Sequence, residues 1–94
     1  MTCTFTVTLK NPGGLHARPA ALLAEQALHY RSAVFVSVSK GGKGGKGSKR
    51  ANAKRIIDLM NLGACCSDDL HFELEGADEA LASRALRQFV SRLP

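Results

Sequence analysis

The stretch CTFTVTLKNPGGLHARPAALLAEQALHY, residues 3–30, changes its hydrophobic period part-way along, and that change decides the fold class. Phe5, Val7 and Leu9 alternate with Thr4, Thr6 and Thr8, the period of two that belongs to a half-buried strand. Asn11-Pro12-Gly13-Gly14 then breaks the strand. From Ala17 to about Tyr30 the period becomes helical, with Ala20, Leu23, Ala24, Ala27 and Tyr30 on one face. Pro19 falls in the first turn, where a missing N–H loses no helical hydrogen bond.

The same alternation continues outward from this stretch. AVFVSV at 33–38 reads as a strand with Val34, Val36 and Val38 on one face, and a short strand is expected around Lys49 to Ala53. KRIIDLMNL at 54–62 reads as a short helix stopped by Gly63, with Leu59 and Leu62 in the core. Leu70, Phe72 and Leu74 alternate with His71, Glu73 and Glu75 in a further strand, and Gly76 ends it. Asp78-Glu79 opens a last helix, its carboxylates at the positive end of the dipole. Leu81, Ala82, Ala85, Leu86, Phe89, Val90 and Leu93 are expected on its buried side, and Arg92 suits its negative end. The order βαββαβα predicts the α+β class: a four-stranded antiparallel sheet covered on one face by three helices. We expect one domain over residues 1–94, with a Gly/Lys-rich hairpin insertion at about 40–50.

Composition narrows the function classes. Hydrophobic residues make up 45% and charged residues 22%, which excludes a wholly disordered chain. No apolar run approaches the ~20 residues of a membrane span, and MTCTFTVTLK is not read as a secretory leader. Cys3, Cys65 and Cys66 are odd in number and two are adjacent, so no disulfide framework is expected; the reading is a protein of a reducing cytoplasm. The 13 basic residues outnumber the 8 acidic ones, for a net charge of +5. Lys40, Lys43, Lys46, Lys49 and Arg50 account for all of that excess, leaving eight of each sign elsewhere. The basicity is therefore one local arm, whereas a nucleic-acid-binding domain usually spreads its cations over a folded face.

The segment with chemical content is Gly13 to Ala20, which places His16 at the mouth of a helix. The first-turn N–H groups of Ala17 and Arg18 face an anion held there, at the positive end of the dipole. Arg18 adds a fixed cation able to bind two phosphate oxygens at once. The glycines allow close backbone approach. Imidazole titrates near neutrality, so a neutral, nucleophilic ring is available to carry a phosphoryl group. Read without context, a lone histidine before Ala-Arg-Pro is equally a turn residue near a helix start.

Gly14-Leu15-His16-Ala17-Arg18-Pro19-Ala20 resembles the active-site motif of the HPr family, the histidine phosphocarriers of the bacterial phosphoenolpyruvate-dependent sugar phosphotransferase system. Residues 53–63, AKRIIDLMNLG, resemble the family's second helix and its following glycine, and 74–80, LEGADEA, the start of its last helix. The resemblance covers nearly the whole chain. It implies that enzyme I passes a phosphoryl group to Nδ1 of His16 and that the chain hands it to an A-type domain of a sugar permease. Arg18 would neutralise the group, with Gly14 and the backbone N–H groups of Ala17 and Arg18 helping to cradle it. Ala21 on the first helix and Ile56, Ile57 and Met60 on the second would dock partners, core packing being the other reading of these apolar residues. The chain would be a protein substrate of a relay rather than a free-standing enzyme, a cytoplasmic monomer with no cofactor, no metal and no membrane insertion.

The departures from that pattern carry information of their own. Arg55 stands where Gram-positive members have a serine phosphorylated by a dedicated kinase, so that regulation is expected to be absent. Glu25, Leu28 and Asp58 occupy positions where sugar-transport members often carry lysine, which makes the docking face less basic. Gly13 replaces a polar residue that often helps to orient the histidine. A regulatory paralogue of a nitrogen-type or other branch, acting by phosphorylation-dependent protein binding, is therefore the alternative. A basic-arm nucleic-acid-binding module is a weaker one, and its binding would fall steeply with salt. The arm from Lys40 to Arg50 also reads as a tolerated, solvated extension of the hairpin. His29, His71 and the Cys65-Cys66 pair have no phosphate cradle and no partner ligands at zinc spacing; they read as surface and loop residues.

Overall fold

A computed structural model describes residues 2–39 and 50–93. In chain order the elements are β1 (Thr2–Thr8), α1 (Ala17–Ala27), β2 (Ala33–Ser39), β3 (Arg50–Asn52), α2 (Ile56–Asn61), β4 (Asp69–Glu75) and α3 (Glu79–Ser91). The strands form one antiparallel sheet in the order β1-β4-β2-β3. β4 is thus paired on both sides, and its alternate residues Leu70, Phe72 and Leu74 are fully buried. Phe72 aligns with Phe5 of β1 and Val36 of β2, and its ring stacks on Phe5 at 4.6 Å between centroids. Each such buried side chain contributes roughly 1.5–3 kcal/mol of transfer free energy. The helices lie on this apolar face, where Ala20, Leu23 and Ala24 of α1, Leu59 of α2 and Ala82, Leu86 and Val90 of α3 join the strand residues in one core. The α+β fold class expected from the sequence is the one observed.

The opposite face of the sheet is polar. The β1 threonines lie across from Glu75, Glu73, His71 and Asp69 of β4. His71 contacts Thr6 through Nδ1 at 3.0 Å and Ser39 through Nε2 at 2.8 Å, as a histidine on the polar side of a strand should. Arg50 stacks on the Phe35 ring at 4.1 Å and lies 3.9 Å from Glu73.

Four expectations need correction. α1 ends at Ala27 rather than near Tyr30. The amides of His29 and Tyr30 bond the carbonyls three residues back, of Gln26 and Ala27, so the chain tightens out of the helix while Tyr30 keeps its place against the core. His29 accordingly lies beyond the helix. The second helix is shorter than 54–62 because Lys54 and Arg55 are taken by a turn on Asn52, whose side chain accepts from Lys54 N and whose carbonyl accepts from Arg55 N. Leu81 is 62% exposed. The buried stripe of α3 is centred on Ala82, Leu86 and Val90, and Leu81 lies about 100° round the helix from Ala82. Finally, Asp78 sits at the N-cap of α3 without capping it: its carboxylate accepts from the backbone amides of Arg31 and Ser32, at 2.9 Å each, and from the Ser32 hydroxyl. Only Glu79 is left in the first turn, where it accepts from Gly76 N and from the Cys3 thiol. The arm at 40–49 lies outside the described residues.

Candidate functional site

The junction between β1 and α1 is built from the inside outward. Asn11 is buried and closes a turn with Gly14: Gly14 N donates to Asn11 O at 3.0 Å, and Asn11 Nδ2 donates to Gly14 O. Gly14 has φ +66°, and a Cβ there would lie 2.5 Å from Ala64 O and 2.8 Å from Cys65 Cα. Only glycine satisfies both the left-handed backbone and this close approach of the loop between α2 and β4. Leu15 is fixed twice, by its N–H to Ala64 O at 3.0 Å and by its side chain in the core. The chain therefore leaves the core at one defined point, and the next residue is His16.

His16 is the N-cap of α1, in extended conformation and exposed. Its carbonyl accepts from Ala20 N at 2.9 Å, the first turn of the helix. The N–H groups of Ala17 and Arg18 precede any intrahelical acceptor, and Pro19 has none to offer. Two amide donors, the positive end of an 11-residue helix, the imidazole and the exposed Arg18 side chain thus occupy one junction. Gly13 supplies the room for the ring: a Cβ at that position would come within 2.5 Å of His16 Cδ2 and 2.7 Å of Nε2. A side chain at 13 would force the imidazole into another orientation.

Of the sequence-selected residues, Gly14, His16, Ala17 and Arg18 are brought together here. Ala21 is half-buried one turn along α1. α1 packs against α2, on which Ile56 (42% exposed), Ile57 (66%) and Met60 (41%) face outward, while Leu59 and Leu62 are buried. Arg55 is the exposed N-cap of α2 and makes no capping bond with its side chain. Glu25 and Leu28 are exposed and Asp58 is half-buried. Sequence reasoning missed Asn11 as more than a strand breaker, and it missed the 64–65 segment as the wall behind Gly14. Among the described residues no cluster of three or more metal-ligating side chains occurs, and no helix is long and apolar enough to cross a membrane.

The family model described as the PTS HPr component phosphorylation site matches residues 3–92 of this chain, from β1 to the end of α3. The chain belongs to the HPr family. A phosphocarrier protein HPr of Mycoplasma genitalium is 36% identical over 83 residues, 88% of this chain and 86% of that protein. The HPr-like protein Crh of Halalkalibacterium halodurans is also 36% identical, over 92% of this chain and 93% of that one. Among solved structures, HPr-C-His from Thermoanaerobacter tengcongensis superposes with a TM-score of 0.81 at 35% identity, covering 95% of this chain and 91% of that one. HPr is a phosphocarrier of the bacterial phosphotransferase system, and His16 to Pro19 lie within the matched span.

Proposed function

We propose that this chain accepts a phosphoryl group from phosphorylated enzyme I on Nδ1 of His16 and passes it to A-type domains of sugar permeases in the bacterial cytoplasm. The observation that carries this reading is the placement of an exposed imidazole at the N-cap of α1, beside Arg18 and two amide donors not used by the helix. The neutral ring offers its lone pair at Nδ1 to phosphorus; the bond from phosphorus to the donor breaks as the new N–P bond forms. Arg18 and the amides of Ala17 and Arg18 then face the dianionic product. A helix terminus is worth about 0.3–1 kcal/mol to such an anion, enough to tune a phosphohistidine but not to make one. The driving force comes from the donor, so the chain works as a carrier and not as a catalyst. Ala21, Ile56, Ile57 and Met60 supply a small apolar docking surface for partners that must leave quickly. The chain acts as a single monomeric domain over 1–94, with the 40–50 arm a tolerated extension.

A reconstituted relay tests this reading. The chain is labelled from phosphoenolpyruvate by enzyme I, separated, and mixed with an A-type permease domain. The label should move to the permease domain, and Arg18→Ala should slow acceptance about 100–1000-fold, the range expected for loss of one charge-stabilising donor. A chain that takes up label and passes it to no A-type domain supports the second reading, a regulatory paralogue. Glu25, Leu28 and Asp58 on the docking face favour that reading.

A further inference from the structure

β1 is an edge strand, paired only with β4. Folded proteins normally guard such an edge with charge, proline, a bulge or a covering segment. β1 has none of the first three: TCTFTVT carries no charge, proline or glycine, and its register with β4 runs unbroken from Thr2↔Glu75 to Thr8↔Asp69. Nor is it covered. A groove of about 910 Å³ runs along strand residues 3–8. Its other wall is the α3 stripe Ser83, Arg84, Arg87, Gln88 and Ser91, with Lys10 at one end. Those helix positions share one face of α3 and run beside the strand for about 12 Å.

The wall is cationic and its charges are unspent. No carboxylate among the described residues lies within ion-pair distance of Lys10, Arg84 or Arg87. The nearby Glu79 is engaged by Cys3 and Gly76, and Asp69 by Thr8. Ser83 Oγ is buried in this wall without a hydrogen-bond partner. A naked, regular edge of seven residues beside unpaired arginines is complementary to an extended, acidic strand.

We propose that the groove between β1 and α3 is a docking site for an extended acidic segment of a partner protein, which adds to the sheet as a fifth strand at the free edge of β1. The backbone of the segment pairs with alternate residues of β1 over about 24 Å. Its acidic side chains, on every second residue, face Arg84 and Arg87. A second copy of this chain is the poorer occupant, because a twofold pairing of β1 edges would bring two sets of Lys10, Arg84 and Arg87 together. The surface shares no residue with the His16 junction or with the exposed face of α2, so the inference stands apart from the phosphocarrier reading.

The test uses an N-acetylated nonapeptide alternating glutamate with valine, titrated into the full ¹⁵N-labelled chain, with a lysine-for-glutamate peptide as its counterpart. The glutamate peptide should shift the amides of residues 2–8 and of α3, with a sub-millimolar Kd. The variant Arg84→Glu/Arg87→Glu should bind at least tenfold more weakly while its thermal melt and its phosphorylation at His16 are unchanged. The lysine peptide should not bind the parent chain. Shifts confined to other surfaces, equal binding of both peptides, or binding unaffected by the double substitution would overturn the proposal. So would β1 shifts that grow with protein concentration without peptide, which would make the occupant a second copy.

Discussion

At position 14 the backbone turns through φ +66° with the Ala64 carbonyl 2.5 Å from where a side chain would begin. Gly14→Ala therefore meets a left-handed backbone penalty of about 1–2 kcal/mol and a collision with main chain as well. We expect the variant to lose at least about 2 kcal/mol in urea unfolding; a variant as stable as the parent would show that the 11–16 junction is not braced by the 64–65 segment. The two halves of this site differ in how legible they were. His16, Arg18 and Pro19 lie within the helix start that places them, so local sequence reveals it. The wall behind Gly14 and the Asn11 bonds that shape the turn come from chain distant in sequence or from side-chain orientation, and neither leaves a periodic trace. Gly13 is a related case: as a residue it reads only as a turn former, and its service in leaving room for the imidazole emerges from the distances to Cδ2 and Nε2.

The helices and strands were legible in proportion to how fully one face of each is buried. β4 shows clean alternation because Leu70, Phe72 and Leu74 enter the core, whereas in β2 Val34, Val36 and Val38 enter it while Ser37 and Ser39 are buried as well. The apolar stripe that the sequence predicts for α3 is too wide, since Leu81 adds to the apolar count without reaching the core. The start of α2 illustrates a conflict between capping and charge. Arg55 holds the N-cap, makes no capping bond and sets a cation at the positive end of the helix. Arg55→Ser should add about 0.5–1 kcal/mol to stability, read as a raised urea midpoint at constant m; no gain would mean that the turn on Asn52 already satisfies the first amides. α3 is tied at its start by Asp78, whose carboxyl is held below its ordinary value by the Ser32 hydroxyl first and the Arg31 amide next. A carboxylate with a lowered native pKa stabilises the fold fully above the unfolded carboxylate range, and the contribution disappears as pH falls through the lowered native value. Asp78→Asn should lower the melting temperature at pH 7 and have a smaller effect at an acid pH low enough to protonate Asp78 in the parent chain. An equal deficit at both pH values would contradict this role.

Taken together, the elements divide the molecule into separate surfaces. α1 and α2 carry the imidazole, Arg18 and the exposed Ile56, Ile57 and Met60. β1 and α3 carry the cationic groove on the far edge of the sheet from β3. Membership of the HPr family accounts for the first surface in outline and leaves the second to the particular residues of this chain. The groove was not legible beforehand, because edge position follows from the strand order β1-β4-β2-β3 and not from any single strand's pattern. The central claim is that His16 is the phosphoryl acceptor. Its most direct test is the intact mass of the chain after incubation with phosphoenolpyruvate, magnesium and enzyme I, run beside His16→Ala. We predict a gain of one phosphoryl group that is acid-labile, alkali-stable and absent from the variant. A gain that persists in His16→Ala, or no gain with several active enzyme I preparations, would contradict it.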